Sequence, residues 1–135
     1  MKIRTITSGI NIEPSKMKEQ VEGCGSFLTE ARDRFLSDGI EVQTIRLSTQ
    51  SWTRYSKNLE EDGMIPMIMD LESHAMDNGI DFISIGPSPT IDSIIQVPNI
   101  LSETTYVCTS APLILKNAVS LEMIEAVASA IQEIA

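Results

Sequence analysis

The sequence predicts an α/β protein in which helices alternate with the strands of a mainly parallel, four-stranded sheet. Short segments rich in Ile, Val and Thr alternate with longer segments whose apolar residues recur every three or four positions. Gly and Pro stand at most of the boundaries between them. The predicted order is β-α-β-α-β-α-β-α, which implies right-handed crossovers between parallel strands. At 135 residues, the chain is expected to form one domain, 1–135.

The first predicted strand covers Lys2 to Ile10, and the first predicted helix covers Pro14 to Asp38. One helical stripe collects apolar residues, namely Met17, Val21, Cys24, Leu28, Ala31 and Phe35. Gly23 and Gly25 are unfavourable inside a helix, so we expect them to permit close packing on the sheet or on a neighbouring subunit.

The second predicted strand covers Glu41 to Thr49. The stretch from Ser51 to Gly63 has no clear period, and its apolar anchors are Trp52, Tyr55 and Leu59. A helix is predicted from Met64 to Asn78, with Pro66 in its first turn, where the missing N–H does little harm. Its methionines, Met64, Met67, Met69 and Met76, suit packing rather than a copper or cofactor site.

The third predicted strand, Asp81 to Gly86, is nearly continuous apolar sequence, as expected for a central strand covered on both faces. A weaker helix follows from Ile91 to Leu101 and is expected to be distorted near Pro98. The fourth strand is predicted from Thr104 to Ser110, and the last helix from Ser120, as N-cap, to Ala135.

The net charge is −9, and the chain has ten Lys and Arg residues. Because affinity for nucleic acid comes largely from basic side chains, this balance argues against nucleic acid and against an anionic membrane surface. Apolar runs end well before the roughly 20 residues that a membrane span requires. Lys2 and Arg4 interrupt the residue order of a secretory signal. We therefore expect a cytoplasmic protein.

Few residues suggest metal or acid–base chemistry. Cys24 and Cys108 are widely spaced, so we expect reduced structural thiols rather than a zinc site or a disulfide. His74, the single histidine, lies in a predicted helix among acidic residues and is expected to be a surface residue. Asp92 and Glu103 are candidate bases, but their spacing does not pair them. We predict no metal and no cofactor.

Each predicted strand runs into a loop of small polar residues. The carboxyl ends of parallel strands meet at one edge of a sheet, where α/β proteins commonly bind ligands. Hydroxyls and free backbone N–H groups there suit a small carboxylate or phosphate. The alternative is that Ser, Thr, Gly and Pro serve only as turn and cap residues. The candidate ligand-binding residues of these loops are Ser8, Gly9, Asn11, Ser48, Thr49, Gly86, Ser88, Thr109 and Ser110.

Arg4 and Arg46 extend this candidate site, because each shares a strand face with a serine further along its own strand. A guanidinium offers a planar fork of donors for a carboxylate or phosphate. The alternative is that the two arginines form structural ion pairs, with candidate partners Glu13, Glu41 and Asp81.

Three segments resemble a known family: residues 2–7 with Gly9-Ile10-Asn11, residues 42–50 with Trp52, and residues 79–87. They are similar to the N-terminal part of a prokaryotic family of unknown function described as pyruvate-formate-lyase-like. The resemblance implies an α/β barrel related to that of glycyl-radical enzymes, of which this chain forms roughly one half. A C-terminal glycine loop is absent here, so radical chemistry does not carry over, and Cys108 is only a formal candidate for a barrel-facing thiol.

Two functions follow as expectations. The first is an enzyme fragment or subunit that binds a small anionic metabolite at the strand ends, with catalytic residues unknown. The second is a non-catalytic assembly module that uses a sheet edge and the helix face of Gly23 and Gly25. Because an open parallel sheet exposes two edges, we expect a homo-oligomer or a complementary C-terminal half as partner.

Overall fold

The computed structural model describes residues 1–59 and 61–135. The strands are β1 Lys2–Ile10, β2 Glu41–Thr49, β3 Phe82–Pro87, β4 Val107–Ser110, β5 Ile114–Leu115 and β6 Ala118–Val119. The helices are α1 Met17–Ser37, α2 Trp52–Tyr55, α3 Glu61–Asp77, α4 Ile91–Ile95, α5 Val97–Ser102 and α6 Leu121–Ile134, with a 3-10 turn at Pro14–Lys16 before α1. Glu60, within the stretch left unassigned above, lies outside the described residues.

Strands β1 to β4 form one parallel sheet in the order β1-β2-β3-β4, which confirms the predicted fold class. The order follows the sequence without a reversal. Because all crossovers have the same hand, successive helices then lie on the same face of the sheet. In a doubly wound sheet the strand order reverses, and helices cover both faces. All four strand ends lie along one edge of the sheet.

One face of the sheet is covered by α1 and α3. Its strand residues are fully buried at Ile45, Leu47, Ile83 and Ile85, and they share a core with helix residues Val21, Leu28, Ile68, Leu71 and Ala75. Cys24 and Met64 are buried in this core, and Met67 and Met76 pack against it, as expected for packing residues, while Met69 is exposed. We call this the covered face.

The carboxyl half of the opposite face is exposed among the residues that the structure describes. Phe82 is 40% exposed and Ser84 is half-buried, so the prediction that the third strand is covered on both faces is wrong. The apolar run in the sequence is misleading because Phe82 lies on the open side while Ile83 and Ile85 alone enter the core.

Several element boundaries differ from the predictions for identifiable reasons. Helix α3 begins at Glu61, so Pro66 lies inside it rather than in its first turn. Strand β4 begins at Val107, because the backbone N–H groups of Thr105 and Tyr106 donate to Glu72 Oε1, at 2.8 and 2.6 Å, instead of joining the ladder. The predicted fourth helix divides at a break before Pro98, into α4 and α5.

The two-stranded antiparallel hairpin of β5 and β6 was not predicted. Its two turn residues, Lys116 and Asn117, have φ angles of 49° and 65°. Positive φ at both positions is the geometry of a type I′ turn, which usually contains Asn-Gly or Asp-Gly. Lys is not a turn signal, so the sequence did not show this hairpin.

Helix α6 packs against α4 and α5 through a second, smaller core that contains Ile94, Met123 and Ala130. Ser120 is its N-cap as predicted, and the Ser120 side chain accepts from the Met123 N–H at 3.3 Å. In the part of the chain that the structure describes, no helix combines the length and apolar character needed to cross a membrane.

The two helical glycines provide a matched test of packing. A Cβ at Gly25 would lie 2.7 Å from Asn78 Cβ, whereas a Cβ at Gly23 meets nothing within 4 Å. We expect Gly25→Ala to lower the free energy of unfolding by about 1–3 kcal/mol through overpacking. Gly23→Ala should raise it by up to about 1 kcal/mol through helix propensity. Urea denaturation measures both, and equal effects of the same sign would contradict the close contact.

Candidate functional site

The loops at the carboxyl ends of the strands are joined by hydroxyl groups that bind one another. The indole N–H of Trp52 donates to Ser88 Oγ at 3.0 Å, and Ser88 Oγ lies 3.2 Å from Thr109 Oγ1. Thr109 Oγ1 in turn donates to the Gly86 carbonyl at 2.7 Å. Ser88 is fully buried. These hydroxyls are therefore engaged within the protein rather than open to a ligand.

Gln50 and Ser51 form hydrogen bonds between the remaining loops. The Gln50 side chain accepts from the Ile12 N–H and donates to the Ile12 carbonyl, both at 2.8 Å. Ser51 Oγ donates to the Pro87 carbonyl at 2.6 Å, and buried Thr49 donates to the Gln50 carbonyl at 2.8 Å. Hydrogen bonds thus join the loops after β1, β2 and β3, which supports a structural role for Thr49. We call the joined residues the closed rim: Thr49, Gln50, Ser51, Trp52, Gly86, Ser88 and Thr109.

Gly86 is the point where this rim is tightest. Its φ is +75°, and a Cβ there would lie 2.5 Å from the Gln50 carbonyl carbon and 2.6 Å from the Ser51 nitrogen. The buried backbone of Gly86 packs on the β2 loop instead of facing a ligand. The loops therefore contact each other in a way that requires glycine at this position.

An apolar cavity of about 220 Å³ lies behind the rim, between β4 and helices α4, α5 and α6. Ser88, Thr109 and Ser110 line one side of it. The other lining residues are apolar and include Ile94, Val97, Val127 and Ile131. A small anion needs several convergent donors, so this cavity does not suit the anion site expected at the rim.

Tyr55 gives the rim a pH dependence that can be measured. Burial raises the pKa of its hydroxyl from 10.0 to about 12, and the hydrogen bond with Thr49 opposes this to a smaller extent. The folded state holds the phenolic proton more tightly than the unfolded chain. This contribution to stability is therefore complete below pH 10 and is lost as the pH rises toward about 12.

We expect wild type to lose about 1.4 kcal/mol of unfolding free energy relative to Tyr55→Phe between about pH 8 and pH 11, since one pKa unit corresponds to that energy. Urea denaturation of both proteins at the two pH values gives the difference, in which the shared titration of lysines cancels. A difference that does not change with pH would show that Tyr55 is not desolvated in the folded protein.

A second group of polar residues lies on the open side of the sheet. Pairing places Thr7, Arg46 and Phe82 side by side on adjacent strands. The next row on the same side contains Gly9, Ser48, Ser84 and Cys108. Tyr106 extends the first row beyond Phe82, because it precedes the covered residue Val107. We call these eight residues the open face.

Arg46 occupies the centre of the open face and is exposed. Its guanidinium carbon lies 5.2 Å from the centre of the Phe82 ring, within the range of a cation–π interaction. Tyr106, 43% exposed, meets the Phe82 ring edge to face, with ring centres 6.2 Å apart and planes at 70°. The Phe82 ring thus packs against the guanidinium of Arg46, which stays exposed, and Tyr106 extends the aromatic surface.

The structure separates the two arginines of the predicted site. Ser8 pairs with Leu47 on the covered face, opposite to Arg46 and Ser48. Arg4 is exposed near the amino end of β1, three residues before Thr7, the partner of Arg46. The alternative ion-pair partners are engaged elsewhere. Glu41 pairs with Lys2 at 2.8 Å, Glu13 with Lys16 at 3.1 Å, and Asp81 accepts from the Ile45 N–H at 2.8 Å. Among the described residues, neither arginine takes part in an ion pair.

The structure thus divides the predicted residues into groups. Arg46, Ser48 and Gly9 lie together on the open face, and Gly86, Ser88, Thr49 and Thr109 belong to the closed rim. Asn11 and Ser110 are exposed at the strand ends, where their carbonyls accept from Gln20 and from the Ser88 N–H. Sequence reasoning did not assign Phe82, Ser84 and Tyr106 to a site, although their alternation with Ile83, Ile85 and Val107 was a usable signal.

Cys108 also lies on the open face and is exposed, whereas Cys24 is buried. His74 is half-buried in α3, a helix of the covered face, and its carbonyl accepts from Asn78. The structure thus separates the two cysteines, and it leaves His74 away from Arg46.

The fold and the open face define an α/β protein whose parallel sheet is packed by helices on one face and exposes Arg46 on the other. The model of the family described as Uncharacterised ACR (DUF711) matches residues 1–135, so the chain belongs to this family. No curated protein matches the chain.

Proposed function

We propose that this protein binds a small carboxylate or phosphate metabolite on the open face, with Arg46 as the anion-binding residue. The observation that carries the proposal is the exposed guanidinium held over Phe82, without a carboxylate partner among the described residues. Arginine is well suited to this role because its planar fork of donors matches two oxygens of a carboxylate or phosphate.

The hydroxyls around Arg46 support the same function. Thr7 is the lateral neighbour of Arg46, while Ser48 and Ser84 occupy the next row toward the carboxyl ends of the strands. Each hydroxyl donates one hydrogen bond and adds little bulk. An anion bound to Arg46 would lie within reach of these side chains, and the exposed Gly9 leaves space beside Ser48.

The open face also fits the interior of an α/β half-barrel. In such barrels one side of each strand faces the helices, and the other side faces the barrel axis. The sequential strand order and the single layer of helices support this arrangement, which agrees with the pyruvate-formate-lyase-like resemblance. The chain then acts as an enzyme subunit or fragment whose contribution is to bind substrate, and a complementary half-barrel encloses the ligand.

Arg46 and Arg4 form a matched pair for testing the proposal. A thermal-shift titration with acetate and with inorganic phosphate should raise the melting temperature of wild type, and Arg46→Gln should abolish the response. At 100 times the dissociation constant, bound ligand stabilises the fold by about 2.7 kcal/mol. Arg4→Gln makes the same charge change three residues before the Arg46 level, toward the amino end of β1, and should leave the response intact. Equal losses in both variants would indicate nonspecific electrostatics and would contradict the proposed site.

An assembly module is the second candidate function. Helix α6 exposes the apolar side chains of Leu121 to 72% and of Ile131 to 61%, and Ile131 also borders the cavity next to α4 and α5. Exposed apolar side chains of this kind suit packing against another subunit. A stable oligomer in light scattering that Ile131→Glu disperses, together with no response to either anion, would favour assembly over ligand binding.

A further inference from the structure

We infer that the ligand of the open face is a monocarboxylate that carries a flat apolar group, an aryl carboxylate being the simplest example. This inference rests on the proposed function and specifies its ligand. It follows from two properties of the open face: it has one charge, and two aromatic rings lie on one side of that charge.

The charge of the site favours a singly charged anion. Among the eight residues of the open face, Arg46 is the only one with a charged side chain. The protein as a whole carries a net charge of −9. A phosphate dianion would remain half-neutralised on Arg46 and would be repelled by the surrounding protein. A monocarboxylate is neutralised by one guanidinium and accepts both of its parallel hydrogen bonds.

The aromatic residues favour a flat apolar group attached to that carboxylate. Phe82 is the lateral neighbour of Arg46, and the edge-to-face contact with Tyr106 continues the apolar surface toward β4. Neighbouring strands are about 4.8 Å apart, so this surface extends over roughly 10 Å from the guanidinium. A ring bonded to the bound carboxylate would lie against these side chains, and aromatic pairs of this kind add affinity beyond burial alone.

The side of Arg46 toward β1 does not offer the same surface. There the lateral neighbour is Thr7, whose small polar side chain offers a hydroxyl and no ring. The open face is thus asymmetric about its one charge, polar toward β1 and aromatic toward β4. A ligand that is charged at one end and apolar at the other matches this asymmetry better than acetate or phosphate does.

Calorimetric titration of the intact chain with benzoate, cyclohexanecarboxylate, acetate and inorganic phosphate tests the inference. Benzoate should bind about tenfold more tightly than acetate and phosphate, because the ring gains aromatic contacts that small anions lack. Cyclohexanecarboxylate has a similar size but is not flat, and it should bind more weakly than benzoate. Tyr106→Leu should remove most of the advantage of benzoate over acetate, whereas Tyr106→Phe keeps the ring and should retain it.

The outcomes separate this inference from the proposed function. If acetate and phosphate bind in a way that depends on Arg46 and benzoate binds no more tightly, the proposed function stands and the inference is overturned. Equal affinities for benzoate and cyclohexanecarboxylate, or an unchanged preference in Tyr106→Leu, also overturn it. If none of the four anions binds, or if Arg46→Gln leaves binding unchanged, the proposed function fails as well.

Discussion

Replacing Gly86 with Ala is expected to lower the free energy of unfolding by about 3 kcal/mol or more. Two costs add at this position. The left-handed backbone, with φ at +75°, costs a residue with a Cβ about 1–2 kcal/mol. The new methyl group would also press on the Gln50 and Ser51 backbone at 2.5–2.6 Å, and overpacking typically costs a further 1–3 kcal/mol or so. Backbone atoms of a paired strand end have little freedom to yield.

Gly39→Ala is the matched control for this prediction. Gly39 has nearly the same φ, +76°, but a Cβ there meets nothing within 4 Å. Its substitution should lower the free energy of unfolding only by the cost of the left-handed backbone, about 1–2 kcal/mol. Urea denaturation of both variants separates the two contributions, because the difference between them reports the contact with the β2 loop. If the two variants lose the same stability, Gly86 does not pack against that loop as described.

Ser88→Ala is expected to lower the free energy of unfolding by about 1–3 kcal/mol, because it leaves the buried indole N–H of Trp52 without an acceptor. The Thr109 hydroxyl also loses a partner at 3.2 Å, although it still donates to the Gly86 carbonyl. The cost therefore arises mainly from one unpaired donor in an apolar environment.

Ser56→Ala provides the comparison for the Ser88 prediction. Ser56 is also buried, but its hydroxyl donates to the Trp52 carbonyl one helical turn away, and that carbonyl also accepts from the Ser56 N–H. Its loss leaves no donor unpaired, so the effect should be below about 1 kcal/mol. Near-ultraviolet circular dichroism of the single tryptophan reports whether its environment changes. An equal effect in the two serine variants would mean that the bond between Trp52 and Ser88 does not stabilise the rim.

Much of the fold could be predicted because local patterns and tertiary structure agree. The predicted bounds of β1 and β2 match the structure, since alternating polar and apolar residues mark strands that one side buries. The start of β4 could not be predicted, because it depends on the Glu72 carboxylate, more than 30 residues earlier in the chain. Local periodicity also does not specify the order of the strands, so only the structure shows which side of the sheet is the open face.

The candidate site was predictable in part. Arg46 and Ser48 were identified from their shared strand face, which depends only on alternation within one strand. The rim hydroxyls were interpreted as possible ligand donors because the sequence does not show that Trp52, Ser88 and Thr109 meet across three different loops. Phe82 was assigned to the core on hydrophobicity alone, although its neighbour Arg46 places it on the open face.

The most direct test of anion binding on the open face is an NMR titration of the guanidinium Nε–H resonances with acetate. The Arg46 resonance should shift and saturate, and the backbone amides of Ser48 and Ser84 should follow with the same dissociation constant. Arg4 and the rim amide of Ser88 should stay in place. An unchanged Arg46 resonance at millimolar acetate, or the largest shifts at Ser88 and Thr109, would contradict the proposed site.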